Sequence, residues 1–309
     1  MLSLVIVVCG EALIDMIRDG AGAERASPGG GPFNTARALA RLGVPTTFLG
    51  HFSDDQFGRQ LSGLLIADGA GVDMATVGPE PTTVALAEVD SRGVANYRFV
   101  VDGTSAPGLT SEMLPARFPP EVNVLHVGSL GLVLEPMAST IVELVGRERG
   151  RMLISLDPNV RVGLGDDSAY RERLRSLIAG TTVVKASDTD LAWLYPDGDY
   201  REAANLMLEQ GPRLVVVTLG AAGAYGAHGD MRIHVAAPPV EVVDTIGAGD
   251  AFGAGLLAWL HDHELVRPDL ALAEDQLRSA IGYACLAASL TCSRPGADPP
   301  WKREMVSVS

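Results

Sequence analysis

Short apolar, β-branched runs recur along this chain between longer stretches whose apolar positions carry helical spacing. Leu4–Cys9, Thr46–Leu49, Val122–Val127, Met152–Leu156, Thr182–Val184 and Leu214–Thr218 are the clearest of them. Several are apolar throughout, as strands are when helices cover both faces of their sheet. The alternation predicts an α/β fold: a doubly wound, mostly parallel sheet flanked by helices, with ligands collecting at the strand carboxyl ends. Polar residues stand at those ends, namely Asp157, Lys185, Thr218 and Asp244.

One segment breaks this rhythm. Thr82–Val89 and Val94–Val101 are separated only by Asp90-Ser91-Arg92-Gly93, so they read as a hairpin outside the main sheet. Leu13–Ile17 supplies a further short strand. The expectation is one domain over residues 1–309, with 80–106 and part of 13–28 forming a small β-sheet lid that closes over substrate and excludes water.

Composition narrows the chemistry. With 47% hydrophobic and 20% charged residues the chain can bury a large core. A net charge of −14 argues against nucleic acid as a partner, and it requires an anionic substrate to be held by local donors. Cys9, Cys285 and Cys292 form neither a disulfide framework nor a zinc pattern, and His261 and His263 read as a solvated helix end. Leu2–Val8 lacks a basic leader and reads as a first strand, and no window has the length of a membrane span. A cytoplasmic protein with no membrane partner is expected.

The run Asp244-Thr245-Ile246-Gly247-Ala248-Gly249-Asp250 carries the most chemistry. The strand-like Val240–Val243 feeds a glycine-rich turn, and an apolar helical stretch begins at once. Backbone N–H groups of Gly247, Ala248 and Gly249, reinforced by the helix dipole, make an anion hole. Asp250 beside it suits a proton acceptor better than a phosphate ligand, which points to phosphoryl transfer to a hydroxyl. A second cluster, Gly29-Gly30-Gly31-Pro32-Phe33-Asn34, opens another helix; there Gly30 and Gly31 permit close approach, and Asn34 offers a donor and an acceptor to a polyol. Asp15, after the first strand, can accept from two adjacent hydroxyls. Thr218, Gly220 and Gly223 follow an apolar strand and suit a nucleotide. Lys185 and Lys302 are the only lysines, and neither belongs to a P-loop; a G-x-G-x-x-G motif is absent as well. The transferred phosphate therefore depends on backbone N–H groups, magnesium and an arginine, for which Arg161 in Asp157-Pro158-Asn159-Val160-Arg161 is best placed.

With both glycine clusters in this order, the chain resembles the ribokinase/PfkB family of carbohydrate kinases along essentially its whole length. The resemblance implies ATP-dependent, magnesium-assisted phosphorylation of a primary hydroxyl, usually on a small sugar. It makes Asp250 the base, Gly247, Ala248 and Gly249 the anion hole, and Asp15, Gly30 and Asn34 sugar contacts, with Gly31 and Phe99 beside them. Thr218, Gly220 and Gly223, with Lys185, fall on the nucleotide side. Asp244, Ile246 and Gly296 resemble the monovalent-cation (K+) site that some members carry. The family's Asn-x-x-Glu appears here as Ser187-Asp188-Thr189-Asp190, leaving Asp190 a water-mediated magnesium role. Cys285 replaces a common asparagine near the base, and Gly31-Pro32 replaces the Lys-Gly typical of ribokinases.

Thr82–Leu86, Tyr97-Arg98-Phe99, Gly103-Thr104 and Ser293–Ala297 look most like bacterial fructokinases. A 2-keto-3-deoxygluconate kinase, a ribokinase and a nucleoside kinase are the alternatives within the family. A non-catalytic sugar or nucleotide sensor is the alternative outside it. Strand alternation puts Tyr97 and Phe99 on one face and Arg98 on the other; the aromatic face is expected inward. Apolar lid positions such as Val84 and Leu86 suggest a homodimer through the lid.

Overall fold

The computed structural model describes residues 4–18, 24–89 and 95–305. The 90–93 connection of the hairpin, and Val94, lie outside this set, as do the side chains of Tyr97 and Arg98. The first half of the chain holds β1 (Val5–Cys9), β2 (Leu13–Arg18), β3 (Glu24–Gly29), α1 (Gly31–Arg41), β4 (Thr46–Leu49), β5 (His51–Ser53), α2 (Gln56–Asp68), β6 (Thr76–Gly78), β7 (Val84–Val89), β8 (Ala95–Val100) and β9 (Val122–Gly128). There follow α3 (Met137–Glu148), β10 (Leu153–Asp157), α4 (Asp167–Ala179), β11 (Val183–Ser187), α5 (Asp188–Leu194), α6 (Tyr200–Gln210), β12 (Leu214–Thr218), β13 (Ala224–His228), β14 (Met231–Val235), α7 (Ala248–Asp262) and α8 (Glu274–Cys292).

An eight-stranded sheet runs in the order β14-β13-β12-β11-β10-β9-β1-β4. It is parallel from β4 to β12, and β13 and β14 are added antiparallel at one edge. The apolar runs are buried on both faces because alternate residues serve different cores. Ile6 and Val8 pack with α1, α2, α7 and α8, while Val7 and Cys9 pack with α3 to α6. A second sheet, ordered β3-β2-β7-β8, stands apart from the first. Its inward positions Leu13, Ala85 and Phe99 pack with Leu130 and Leu134 of the main body.

Sequence and structure differ in two places. Val240–Val243 is not a strand. The sheet already ends at β14, so this stretch finds no ladder partner, and the Val243 N–H instead donates to the Cys292 carbonyl at the end of α8 (2.8 Å). Asp244 therefore ends a loop. Lys185 lies inside β11, two residues short of its end. Asp15 lies within β2, the short strand expected over Leu13–Ile17.

β4 and β9 flank β1 on opposite sides, so the strand order reverses there, and a crevice opens at the carboxyl ends of β1 and β9. The helices around that crevice are tied by a buried ion cluster. Asp68, the last residue of α2, accepts from Arg37 Nε (2.6 Å) and Arg41 Nε (2.8 Å) of α1. Arg41 also bonds Asp298 (2.6 Å), and Arg37 Nη1 donates to the Ala297 carbonyl (3.2 Å). Removing the shared carboxylate takes from two largely buried guanidinium groups their common anionic partner, leaving Arg37 with the Ala297 carbonyl and Arg41 with Asp298 and the Pro299 carbonyl. Asp68→Ala is therefore expected to lower unfolding stability by about 3–5 kcal/mol, read as a fall in the urea midpoint.

Candidate active site

Elements distant in sequence converge on the crevice. The loop after β1 contributes Glu11, the end of β9 Ser129 and Leu130, and the loop after β10 Asn159 and Arg161. With Asp15, Gly30, Gly31, Asn34, Phe99, Lys185 and the 245–250 turn they line a cavity of about 370 Å³. Gly30 needs to be glycine here: its φ is +108°, and a Cβ would stand 2.8 Å from the Glu11 carbonyl oxygen.

Gly247 caps α7 with φ 74°, a left-handed turn, and a Cβ on it would come 2.7 Å from the Ala297 Cβ. The turn leaves the first N–H groups of α7 without intrahelical partners, at the positive end of the helix. Asp250 is the third residue of that helix and is buried. Its Oδ2 accepts from Asn34 Nδ2 at 2.9 Å, a bond joining α1 to α7. The other amide atom, Asn34 Oδ1, is buried with no protein partner among the described residues. Burial, and then the charge of Asp157, push the Asp250 carboxyl up to about 6 against the Asn34 hydrogen bond and the positive charges of Lys185 and Arg161. Burial likewise lifts Asp15 to about 6, opposed by Arg161.

Lys185 is in the floor of this cavity. Its Nζ bonds Asp157 Oδ2 at 2.8 Å and lies 3.0 Å from where a Cβ on Gly249 would be. Burial pulls the ammonium pKa down, but the carboxylates of Asp157, Asp190 and Asp250 outweigh that and raise it, so the group stays charged. Asp157 Oδ1 is buried and has no protein partner among the described residues. Asp190 has both oxygens engaged: Oδ2 accepts from the Ser187 N–H and hydroxyl (2.8 and 2.7 Å), and Oδ1 from the Val160 N–H (2.7 Å). It thereby caps α5 and fixes the loop that carries Arg161.

A second cavity, about 570 Å³, lies on the far side of the α7 N-terminus. Thr218, Gly220 and Gly223 line it with Pro238, Pro239, Phe252, Cys285 and Cys292. Thr245 and Gly249 line both cavities, so the two meet at the N-terminus of α7, where the Ala248 N–H donates to the Thr245 carbonyl (3.3 Å). Asp244 accepts from the N–H groups of Ile246 (3.0 Å) and Gly296 (2.8 Å), which ties that turn to the loop after α8 and gathers the three residues read as a cation site.

The structure thus brings Asp15, Gly30, Gly31, Asn34, Phe99, Arg161, Lys185 and Asp250 into one cavity, with Thr218, Gly220 and Gly223 in the adjoining one. Lys185 falls on the first side and not with the nucleotide-side group. Sequence reasoning passed over Glu11, Ser129 and Asn159 and treated Asp157 only as a strand end. The signal for Glu11 and Asp157 was present, since each is an acid closing an apolar run. Ser129 and Asn159, both with positive φ, have no such mark in the sequence.

Residues 4–303 match the pfkB family carbohydrate kinase model. This chain belongs to that family. A fructokinase from Rhizobium leguminosarum bv. trifolii is 39% identical over 277 residues, covering 88% of this chain and 84% of that one. Among solved structures, a fructokinase double mutant from Vibrio cholerae O395 with fructose, ADP and potassium superposes with a TM-score of 0.83 at 27% identity, over 96% of this chain and 94% of that one. Aminoimidazole riboside kinase from Salmonella enterica, complexed with aminoimidazole riboside and an ATP analogue, gives 0.85 at 25%, over 97% and 98%.

If Asp250 is the base, it must be ionised to act. The kcat/KM for the phosphoryl acceptor is then expected to rise with pH, reaching half its plateau near pH 6, as Asp250 loses its proton. Asp250→Asn is expected to lower kcat by about a thousandfold and to abolish that limb. Initial rates from pH 5 to 8 over a range of acceptor concentrations check both.

Proposed function

We propose that this chain is an ATP-dependent fructokinase. The observation that carries the reading is the meeting of two cavities at one helix N-terminus, where Thr245 and Gly249 are shared and Asp250 faces the smaller cavity. The sugar occupies that cavity. Asp15 and the unpartnered Asn34 Oδ1 accept from its hydroxyls, and Phe99 covers it from the four-stranded sheet, which acts as the lid. ATP occupies the larger cavity, its phosphates toward Gly249.

Asp250 accepts the proton of the primary hydroxyl as that oxygen bonds to the γ-phosphorus, and the bond from phosphorus to the bridging oxygen breaks, releasing ADP. The N–H groups of Gly247, Ala248 and Gly249, with the charges of Lys185 and Arg161, meet the negative charge on the transferring oxygens. Burial of Asp250 suits this role, because a carboxylate lifted toward neutrality is a stronger proton acceptor.

Magnesium, when bound, neutralises phosphate charge, and the donor set fits it. Asp157 Oδ1, which has no protein partner among the described residues, would hold the ion, and Asp190, whose oxygens are engaged, would contribute through water. Asp244, Ile246 and Gly296 suit a monovalent ion next to the anion hole, and potassium is the ion bound with the Vibrio cholerae fructokinase. No helix among the described residues is long and apolar enough to cross a membrane, and we place the protein in the cytoplasm. Half-buried Val84 and Leu86, with exposed Val100, give the outer lid face an apolar stripe suited to pairing with a second copy.

Arg161 in the sugar cavity favours one second reading, a sugar acid such as 2-keto-3-deoxygluconate, whose carboxylate it would pair. ADP release measured over fructose, 2-keto-3-deoxygluconate, ribose and a nucleoside decides between them. Fructose is expected to give the highest kcat/KM; a sugar acid or nucleoside ranking above it would refute the fructose assignment.

A further inference from the structure

Glu11 is fully buried, lines the sugar cavity and has no part in the proton or phosphoryl steps above. Its two carboxylate oxygens hold different backbone segments. Oε1 accepts from the Gly31 N–H (3.1 Å), at the start of α1, and Oε2 from the Gly131 N–H (3.0 Å), in the turn after β9. The Ser129 hydroxyl favours the charged form of the same carboxylate, against the burial that pushes its pKa up to about 7.

Both segments are cavity walls, and neither has an ordinary conformation. Gly30 has φ +108° and packs against the Glu11 carbonyl. Ser129 has φ 57°, a region costly for a residue with a side chain and kept only where surrounding contacts enforce it. Between Ser129 and Gly131, Leu130 packs with Leu13, Ala85 and Phe99 of the four-stranded sheet. The same turn is thus the seat on which the lid rests.

We propose that Glu11 is a positioning residue for the sugar: its carboxylate clamps the Gly30–Gly31 wall to the Ser129–Gly131 lid seat and so sets the width of the cavity between them. The inference rests on the reading that this cavity takes the sugar. It makes a particular kinetic demand. Among the described residues Glu11 has no hydrogen bond to α7 or to the second cavity, so loosening the clamp weakens sugar binding and leaves the anion hole and nucleotide site intact.

Glu11→Gln is the direct test. Glutamine keeps the size but has one carbonyl oxygen, so its amide N–H₂ must face one of the two N–H groups and that half of the clamp is lost. The sugar KM is expected to rise by about tenfold, while the ATP KM and the kcat at saturating sugar stay within about threefold of wild type. Ser129→Ala removes the hydroxyl on the lid-seat side of the clamp, which also faces the cavity, and is expected to raise the sugar KM by about threefold with the ATP KM unchanged. The sugar used is whichever the wild-type enzyme phosphorylates best. A change of preferred sugar therefore bears on the fructose assignment and not on Glu11. A folded Glu11→Gln enzyme with wild-type sugar KM, or one whose two KM values rise together, overturns the proposal. If Glu11→Gln does not fold, an unchanged sugar KM in Ser129→Ala overturns it.

Discussion

The reaction centre depends on a carboxylate held away from water at the start of a helix. Burial alone would neutralise Asp250 and leave it useless as a base. The positive end of α7, the Asn34 amide and the charges of Lys185 and Arg161 pull the other way, and the balance falls at about 6. Two of these opposing charges are kept in place by further contacts. Lys185 is held by Asp157, and the loop of Arg161 is pinned by Asp190. A single carboxylate thus accounts for the placement of polar groups from α1, β10, β11 and the 159–161 loop.

That arrangement has a thermodynamic cost. The folded-state pKa values of Asp15 and Asp250 (about 6) and Glu11 (about 7) all exceed the ordinary carboxylate values, so folding takes up protons between roughly pH 4 and 7. By linkage, the stability these groups contribute is greatest in acid and recedes as pH rises through their folded values. The site is therefore least stable in the range where these carboxyl groups are ionised. The compensating stability lies elsewhere, in two apolar cores on the faces of the sheet and in the Arg37–Asp68–Arg41 cluster behind α1. That cluster also reaches Ala297 and Asp298, beside which Gly247 turns, so the frame and the anion hole share a wall.

Much of this was legible in the sequence. Runs apolar at every position can be buried only from both sides, and that fixed the layered parallel sheet. Glycines followed at once by an apolar helix and an acid marked the turn that caps α7 and the buried carboxylate of Asp250 beside the cavity. Leu13–Ile17 and the 82–101 hairpin fell outside the alternation and proved to be one separate sheet. Val240–Val243 misled because β-branched composition describes a strand's residues and says nothing of whether a neighbour is there to pair with.

What the amino-acid order determined by itself was local: which stretches extend, which coil, and where the backbone is free to turn tightly. Which charges face one another was decided only by the tertiary structure. Asn34 and Asp250 lie 216 positions apart and Glu11 and Gly131 lie 120 apart, yet each pair is in hydrogen-bond contact. A side chain's chemistry is written in the sequence. Its pKa and its partner are not, because both depend on how much water has been removed around it and on which distant segment removed it.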